Sequence, residues 1–406
     1  MHILRKSAVA ALLAALTIPA GLSSQQPAPA TRPAERADKN GALKVEPWLA
    51  VEGEYDNNIF LLSPSRKRAV NDPTAADATS GRFAGMESAD DITVQFRGGV
   101  GISARGLGGR DFTFSPALKY DYYTKNNERS HLTASVALAQ ALARGMRTRL
   151  EASYTPSYFR KNYLVDAIDA NGDRSIAPEE RRYAPADYSA MDIELAHRLR
   201  LRKSTKRSPL GMDLDVGVGY YTRSYDAPFA SRDVSGPKFR TTLGLAPGRR
   251  ADFTLQYDLE ILSADAGQEV LILNEADAGR DLNANGTATD LEVRTVQLVD
   301  RSRREHELSA GVHFDIARGT DLRVGYGFRF RDYSSEQPLD LGHRDRRDTR
   351  HELRGELAKR IVRGLRFTTG ARYSRQTTNW LFDPDQTDEA ADYTRLRGFA
   401  GLRLEF

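Results

Sequence analysis

The sequence predicts an all-β protein: a transmembrane antiparallel up-and-down β-barrel of about fourteen strands, with both termini on the periplasmic side. Three observations lead there. Segments with apolar residues at every second position recur from Lys44 to Phe406. The connections between them alternate short and long. Beyond the first two dozen positions, no apolar run approaches the roughly 18 residues that a membrane-spanning helix needs. A period of two gives each strand one face for hydrocarbon and one for water. This explains how a chain with 28% charged and 9% aromatic residues can be a membrane protein.

Residues 1–24 open with His2, Arg5 and Lys6, continue through the apolar run AVAALLAALTIPAGL and end in small residues. This is the pattern of a secretory signal peptide. Residues 25–43, rich in Pro, Ala and charge, read as a disordered periplasmic tether. The barrel is expected over 44–406. The chain has no cysteine, which excludes disulfides and a lipid-bearing Cys. Its 59 basic and 55 acidic residues are interspersed, so nucleic acid is not an expected partner.

Each strand is justified by its alternation. The first, from Lys44 to about Phe60, sets Val45, Leu49, Val51 and Tyr55 against Glu46, Trp48, Glu52 and Glu54. The second sets Ile92, Val94 and Phe96 against Thr93, Gln95 and Arg97, and the third Leu118, Tyr120 and Tyr122 against Lys119 and Asp121. The fourth to ninth strands carry their outward faces on Leu132 to Leu138, Leu150 to Tyr158, Met191 to Leu195, Met212 to Tyr220, Phe239 to Leu245 and Phe253 to Ile261. The tenth to thirteenth carry them on Leu308 to Ile316, Leu322 to Phe330, Leu353 to Ile361 and Leu365 to Tyr373. Short connections follow even strands, as at Gly145-Met146, Gly319-Thr320 and Arg363-Gly364. Long ones follow odd strands: 61–90, 161–187 and 263–300. An even count puts both ends of the chain on one side.

The fourteenth strand reads YTRLRGFAGLRLEF. Leu396, Leu402 and Leu404 share one face, Arg395, Arg397 and Arg403 the other, and Phe406 ends the chain. It resembles the closing strand of Gram-negative outer-membrane β-barrels. The resemblance implies that Leu402, Leu404 and Phe406 form the signal read by the barrel assembly machinery, and that outer-membrane lipid and lipopolysaccharide surround the wall. The segment EGEYDNNIFLLS, Glu52 to Ser63, is similar to the YD-[SDN]-N entry of porin-like barrels from exopolysaccharide export and surface-lipoprotein assembly. No segment reads as the helical repeat domain that often precedes those barrels, so an export role loses support.

The water-facing phase of the last five strands is expected to line the lumen with Arg323, Arg329, Arg331, Arg354, Arg366, Arg372, Arg395, Arg397 and Arg403, interspersed with Glu305, Glu307, Glu352 and Glu356. Such charges either close the bore by pairing or line a wet channel, and an arginine excess favours anions in an open one.

Two loop segments resemble the calcium loop of EF-hands. DANGDRSIAPEE offers Asp169, Asn171, Asp173, Ser175 and Glu180, and DLNANGTATDLE offers Asp281, Asn283, Asn285, Thr287, Thr289 and Glu292, with Gly286 at the turn position. Arg174 stands where the first would need glycine, and neither has convincing flanking helices. Weak Ca2+ binding is therefore the expectation, against ordinary Asn/Asp/Gly loop chemistry.

Arg66, Lys67 and Arg68 form a basic knot for a phosphate or polyanion, or simply a solvated loop. His313 and Asp315 share a lumen face without a nucleophile motif, and His197 stands in the lipid-facing phase. No catalytic constellation is expected. Two functions remain: a pore for small polar or anionic solutes, or a structural, surface-binding or export-associated barrel that meets a surface glycan, lipid or partner.

Overall fold

The computed structural model describes residues 43–72, 82–167, 180–203, 210–248, 250–272, 294–337, 340, 342–379 and 392–406. In it fourteen antiparallel strands close into one barrel. They are β1 (Lys44–Asp56), β2 (Asp91–Arg105), β3 (Asp111–Tyr123), β4 (His131–Ala143), β5 (Met146–Ala167), β6 (Arg181–Arg202), β7 (Gly211–Tyr225), β8 (Val234–Ala246) and β9 (Ala251–Leu262). A separate hairpin, β10 (Gly267–Ile272) and β11 (Arg294–Val299), stands outside the barrel sheet. The wall resumes with β12 (Arg303–Ala317), β13 (Thr320–Tyr333), β14 (Arg347–Val362), β15 (Leu365–Thr378) and β16 (Tyr393–Glu405). Every wall strand pairs with its neighbours in sequence, except that β9 pairs with β12 across the hairpin and β16 closes on β1. This is the architecture of outer-membrane β-barrels.

The alternation read from the sequence is the alternation of the wall. Leu49, Val51, Phe96, Leu118, Val218, Leu255, Leu308, Leu353 and Leu402 are large apolar side chains left exposed, and they form the outer face. A belt of this kind is stable only against hydrocarbon. The opposite phase is charged, and its ion pairs reach over intervening strands, as from Arg240 on β8 to Glu194 on β6 and from Arg397 on β16 to Glu352 on β14. Side chains converge in this way on the concave side of a closed sheet.

Three turns at one end share a design. After β4, β12 and β14 the chain reverses at Gly145, Gly319 and Gly364, with φ of 82°, 73° and 82°. A one-residue register shift precedes each turn. Left-handed glycine next to a bulge matches hairpin twist to strand twist. The carbonyls of these glycines then accept the amides of Arg200, Arg360 and Glu405, each at 2.7 Å, which ties each turn to the next strand over.

The other end carries the long connections, and there the expectations need correction. The first strand ends at Asp56, and a short helix, α1 (Pro64–Asn71), occupies the connection assigned to loop. Ser63 caps it and Pro64 starts it, a pairing of residues that suits a helix N-terminus. Strands β5 and β6 run on to Ala167 and from Arg181, well into the stretch assigned to loop. The hairpin β10–β11 occupies the flanks of the stretch 263–300. Tyr158 faces inward: a bulge between Thr155 and Tyr158 reverses the side-chain phase for the top of β5.

Strand ends and connections pack apolar residues together here. Tyr163, Tyr188, Tyr221, Tyr225, Phe229 and Leu262 form one buried cluster, and Ile59, Phe60, Leu62, Phe83, Met86 and Phe159 a second. Both lie at the loop end. The wall offers its apolar face to lipid, so the larger shielded clusters form where inward strand ends meet the connections.

Candidate functional site: an arginine-lined interior below packed loops

The interior is organised by cross-strand ion pairs. Arg329 and Arg331 on β13 enclose Glu305 on β12, at 2.9 and 2.7 Å, and Arg329 also holds Glu307 at 2.6 Å. On β14, Glu356 takes Arg323 at 2.8 Å and Glu352 takes Arg350 at 2.7 Å. Arg366 binds Asp321 at 2.5 Å, and Arg403 pairs with Glu405 at 3.0 Å while its guanidinium lies over Trp48. In the opposite half, Arg240 bridges Asp258 and Glu194, and Lys238 bridges Asp192 and Glu260. Opposite charges on directly paired residues follow from the sequence alternation once the register is fixed.

The arginines foreseen for the lumen divide into two groups. Arg323, Arg329, Arg331, Arg366, Arg395 and Arg403 are held by carboxylates at hydrogen-bonding distance. Arg354, Arg372 and Arg397 stand abreast on β14, β15 and β16, because the register pairs Arg354 with Arg372 and Arg372 with Arg397. Among the described residues, Arg354 and Arg372 have no carboxylate within 4.0 Å. Arg397 reaches Glu54 and Glu352 only at 3.8 and 3.7 Å. Room for the row comes from Gly325: a Cβ there would fall 2.6 Å from Nε of Arg354. Arg372 lies over the inward Phe399. Three adjacent guanidiniums thus stand together without a carboxylate at hydrogen-bonding distance among the described residues.

The YDNN segment closes the seam between first and last strands. Asp56 receives Arg395, Nε to Oδ2 at 2.8 Å, and its Oδ1 accepts the Asn58 amide. Asn57 accepts the Leu396 amide on its side chain, while its own amide donates to the Leu396 carbonyl. Asn58, 1% exposed, donates to the carbonyls of Leu62 and Thr394 and accepts the Leu62 amide. The residues that carry the resemblance to export barrels therefore have a structural task here. At the chain end, the Phe406 amide donates to the Pro47 carbonyl, the residue is 68% exposed, and Leu402 and Leu404 are on the lipid face.

Above the row of arginines, the loop end is held by buried polar anchors. Asp91 accepts the amides of Thr124, Lys125 and Asn126, and the Asn126 carboxamide joins it to Ser88. Arg129 reaches the Arg160 carbonyl at 2.6 Å and lies over the rings of Phe60 and Tyr158. In the β13–β14 connection, burial pushes the Asp340 carboxyl up, but His343 and the Asp300 amide hold it below the usual range. Hairpin β10–β11 is anchored by Glu269, which receives Arg301 at 2.5 and 3.0 Å, Arg232 at 2.8 Å and Ser231 at 2.9 Å. Burial raises that carboxyl, yet Arg232 and Arg301 bring it below its ordinary value.

Ten of the eleven residues proposed for calcium, Asp169, Asn171, Asp173, Ser175, Asp281, Asn283, Asn285, Thr287, Thr289 and Glu292, lie outside the described residues. Glu180 is half-buried next to β6. The basic knot is not one patch: Arg66 is 4% exposed inside α1. His197 is accommodated on the lipid side by Thr148, Oγ1 to Nδ1 at 2.9 Å. His306 and His351 have the same solution, facing the hydroxyls of Tyr257 and Tyr326 at 2.8 and 2.7 Å. These pairs were not foreseen, although a histidine in an outward phase beside an outward tyrosine was a usable signal.

No protein-family model matches the chain, and no curated protein sequence does. The fold is similar to that of several solved structures. One is an anion-selective porin from Comamonas acidovorans, 9% identical, TM-score 0.39, covering 90% of this chain and 99% of that one. Another is OpdK of Pseudomonas aeruginosa with vanillate, 10% identical, TM-score 0.36, covering 89% and 99%. The outer membrane channel DcaP of Acinetobacter baumannii is 9% identical, TM-score 0.40, covering 91% and 98%. The likeness extends no further than that of one β-barrel to another.

Proposed function

We propose that the chain is an outer-membrane channel of the porin kind, with periplasmic termini, that passes small polar solutes and favours anions. The observation that carries this reading is the row Arg354, Arg372 and Arg397, three interior guanidiniums abreast on adjacent strands. Most other interior charges are neutralised in pairs, so this row supplies the net field that a passing ion meets. Lipopolysaccharide and lipid surround the apolar belt, and the assembly machinery reads Leu402, Leu404 and Phe406.

Planar-bilayer recording of the purified barrel tests the reading. An open conductance with a reversal potential favouring chloride over potassium is expected. Arg354→Gln with Arg372→Gln should reduce that preference without abolishing conductance. A silent barrel would favour a structural role, and a cation-selective one would remove the anion assignment.

A second element of the proposal is Ca2+ held by the loop segments 169–180 and 281–292, on the strength of their acidic and amide side chains at EF-hand spacing. Affinity in the range of about 10⁻⁴–10⁻³ M is expected. Titration calorimetry of the detergent-folded barrel without calcium heat would dismiss it.

A further inference from the structure

We propose that His313, Asp315 and Asp321 form a site for a divalent transition-metal ion of the zinc class, at the turn end of β12 and β13. Two β-strand neighbours and one hairpin create it. Asp315 and Asp321 are directly paired in the β12–β13 hairpin, and His313 is two positions before Asp315 on the same inward face. One ligand atom from each of the three lies within 4.8 Å of the others.

The imidazole is oriented as a ligand. On one side, Nδ1 faces Oδ2 of Asp252, its pairing partner on β9, at 3.4 Å. A carboxylate there accepts a hydrogen bond from Nδ1–H and fixes the tautomer in which Nε2 carries a lone pair, the usual support for a metal-bound histidine. On the other side, Nε2 faces Oδ1 of Asp315 at 3.7 Å and Oδ1 of Asp321 at 3.6 Å. Nε2 is sealed from solvent and has no hydrogen-bond partner. Both separations are too long for hydrogen bonds. They are close to the edge of a tetrahedron around zinc, roughly 3.4 Å for metal–ligand bonds of about 2.0–2.2 Å.

Charge points the same way. Arg366 occupies Oδ2 of Asp321, which leaves Oδ1 turned to the histidine. Arg323, the residue paired with His313, is directed to Glu356 instead. Three carboxylates, Asp252, Asp315 and Asp321, therefore surround one imidazole, with Arg366 the one guanidinium in contact among the described residues. A dication balances this group, and an exchangeable water completes a fourth position. Asp252 and Asp315 are partly open to solvent, so the ion has a way in.

The test is calorimetric titration of ZnCl2 into the tag-free barrel, folded in detergent in chelator-treated buffer. One saturable zinc event is expected, with Mg2+ giving none. His313→Ala and Asp315→Asn should each abolish it, while Asp252→Asn, which leaves the ligands but loosens the ring, should weaken it about 10–100-fold. His306→Ala, at a lipid-facing histidine, should leave it unchanged. Heat-modified gel mobility checks that each variant is folded, and a misfolded His313→Ala leaves Asp315→Asn to decide. No saturable zinc heat in the wild type, or the same zinc stoichiometry and affinity in a folded Asp315→Asn variant, would overturn the site.

Discussion

Arg395 of β16 and Asp56 of β1 meet at the barrel seam, Nε to Oδ2 at 2.8 Å, although they stand 339 positions apart in the chain. Asp56 is 2% exposed. Of the strand pairings, β1 with β16 is the most distant in sequence, so its closure entropy is the largest to be offset. A buried charge pair at its loop end fixes the register, because a one-residue slip would turn Asp56 to lipid.

Asp56→Ala should therefore destabilise the barrel by about 3–5 kcal/mol, the usual consequence of leaving a buried guanidinium unpaired. The midpoint of urea unfolding, followed by tryptophan fluorescence in detergent, measures it. A double-mutant cycle with Arg395→Ala should show coupling; additive effects would separate the two residues energetically.

The hairpin β10–β11 should release in acid. Glu269 has its folded-state pKa depressed below the ordinary 4.5 by Arg232 and Arg301, against the effect of burial. A depressed acid contributes stability that is present above the unfolded-state value and lost as pH falls through the folded-state value. Docking is thus complete at neutral pH and declines below about pH 4.5. A spin label at exposed Gln268 should report motion appearing in that window, and Glu269→Gln should show it already at pH 7.

Phe406 separates assembly from stability. Phe406 is 68% exposed and its only described backbone tie, the amide donated to Pro47, survives any side-chain change. Phe406→Ala should keep the refolded barrel within about 1 kcal/mol of wild type while lowering its yield in the outer membrane several-fold. Equal yields would remove Phe406 from the assembly signal.

Glu305 neutralises two guanidiniums, Arg329 and Arg331. Glu305→Gln should destabilise the wall by about 2–5 kcal/mol and, in bilayer recording, move the reversal potential further toward anions. An unchanged reversal potential would mean that Glu305 does not face the conducting path.

Much of the wall was legible in advance because a strand at a lipid–water boundary must alternate, residue by residue. Leu402 and Arg403 are neighbours whose environments are opposite, and no distant contact is needed to assign them. Fourteen wall strands and the glycine turns at Gly145, Gly319 and Gly364 follow from that local rule. The loop end obeys no such period. Tyr158 was placed on the wrong face because a bulge, invisible in the pattern, reverses the phase after Thr155. Hairpin β10–β11 and helix α1 were missed because their stability comes from docking, through Glu269 and through the apolar cluster around Phe60, not from their own propensity.

The sequence by itself thus determined the class of fold, the order of the wall strands and, away from the bulged loop end, which side chains face lipid, since all three depend on nearest-neighbour alternation and connection length. Only the tertiary structure decided which charges meet. Register and closure bring Arg395 to Asp56, set Arg354, Arg372 and Arg397 abreast, and gather Asp252, His313, Asp315 and Asp321 at one rim. Coulomb and hydrogen-bond energies depend on separations of a few ångströms between residues far apart in the chain, and those separations exist only once the sheet has closed.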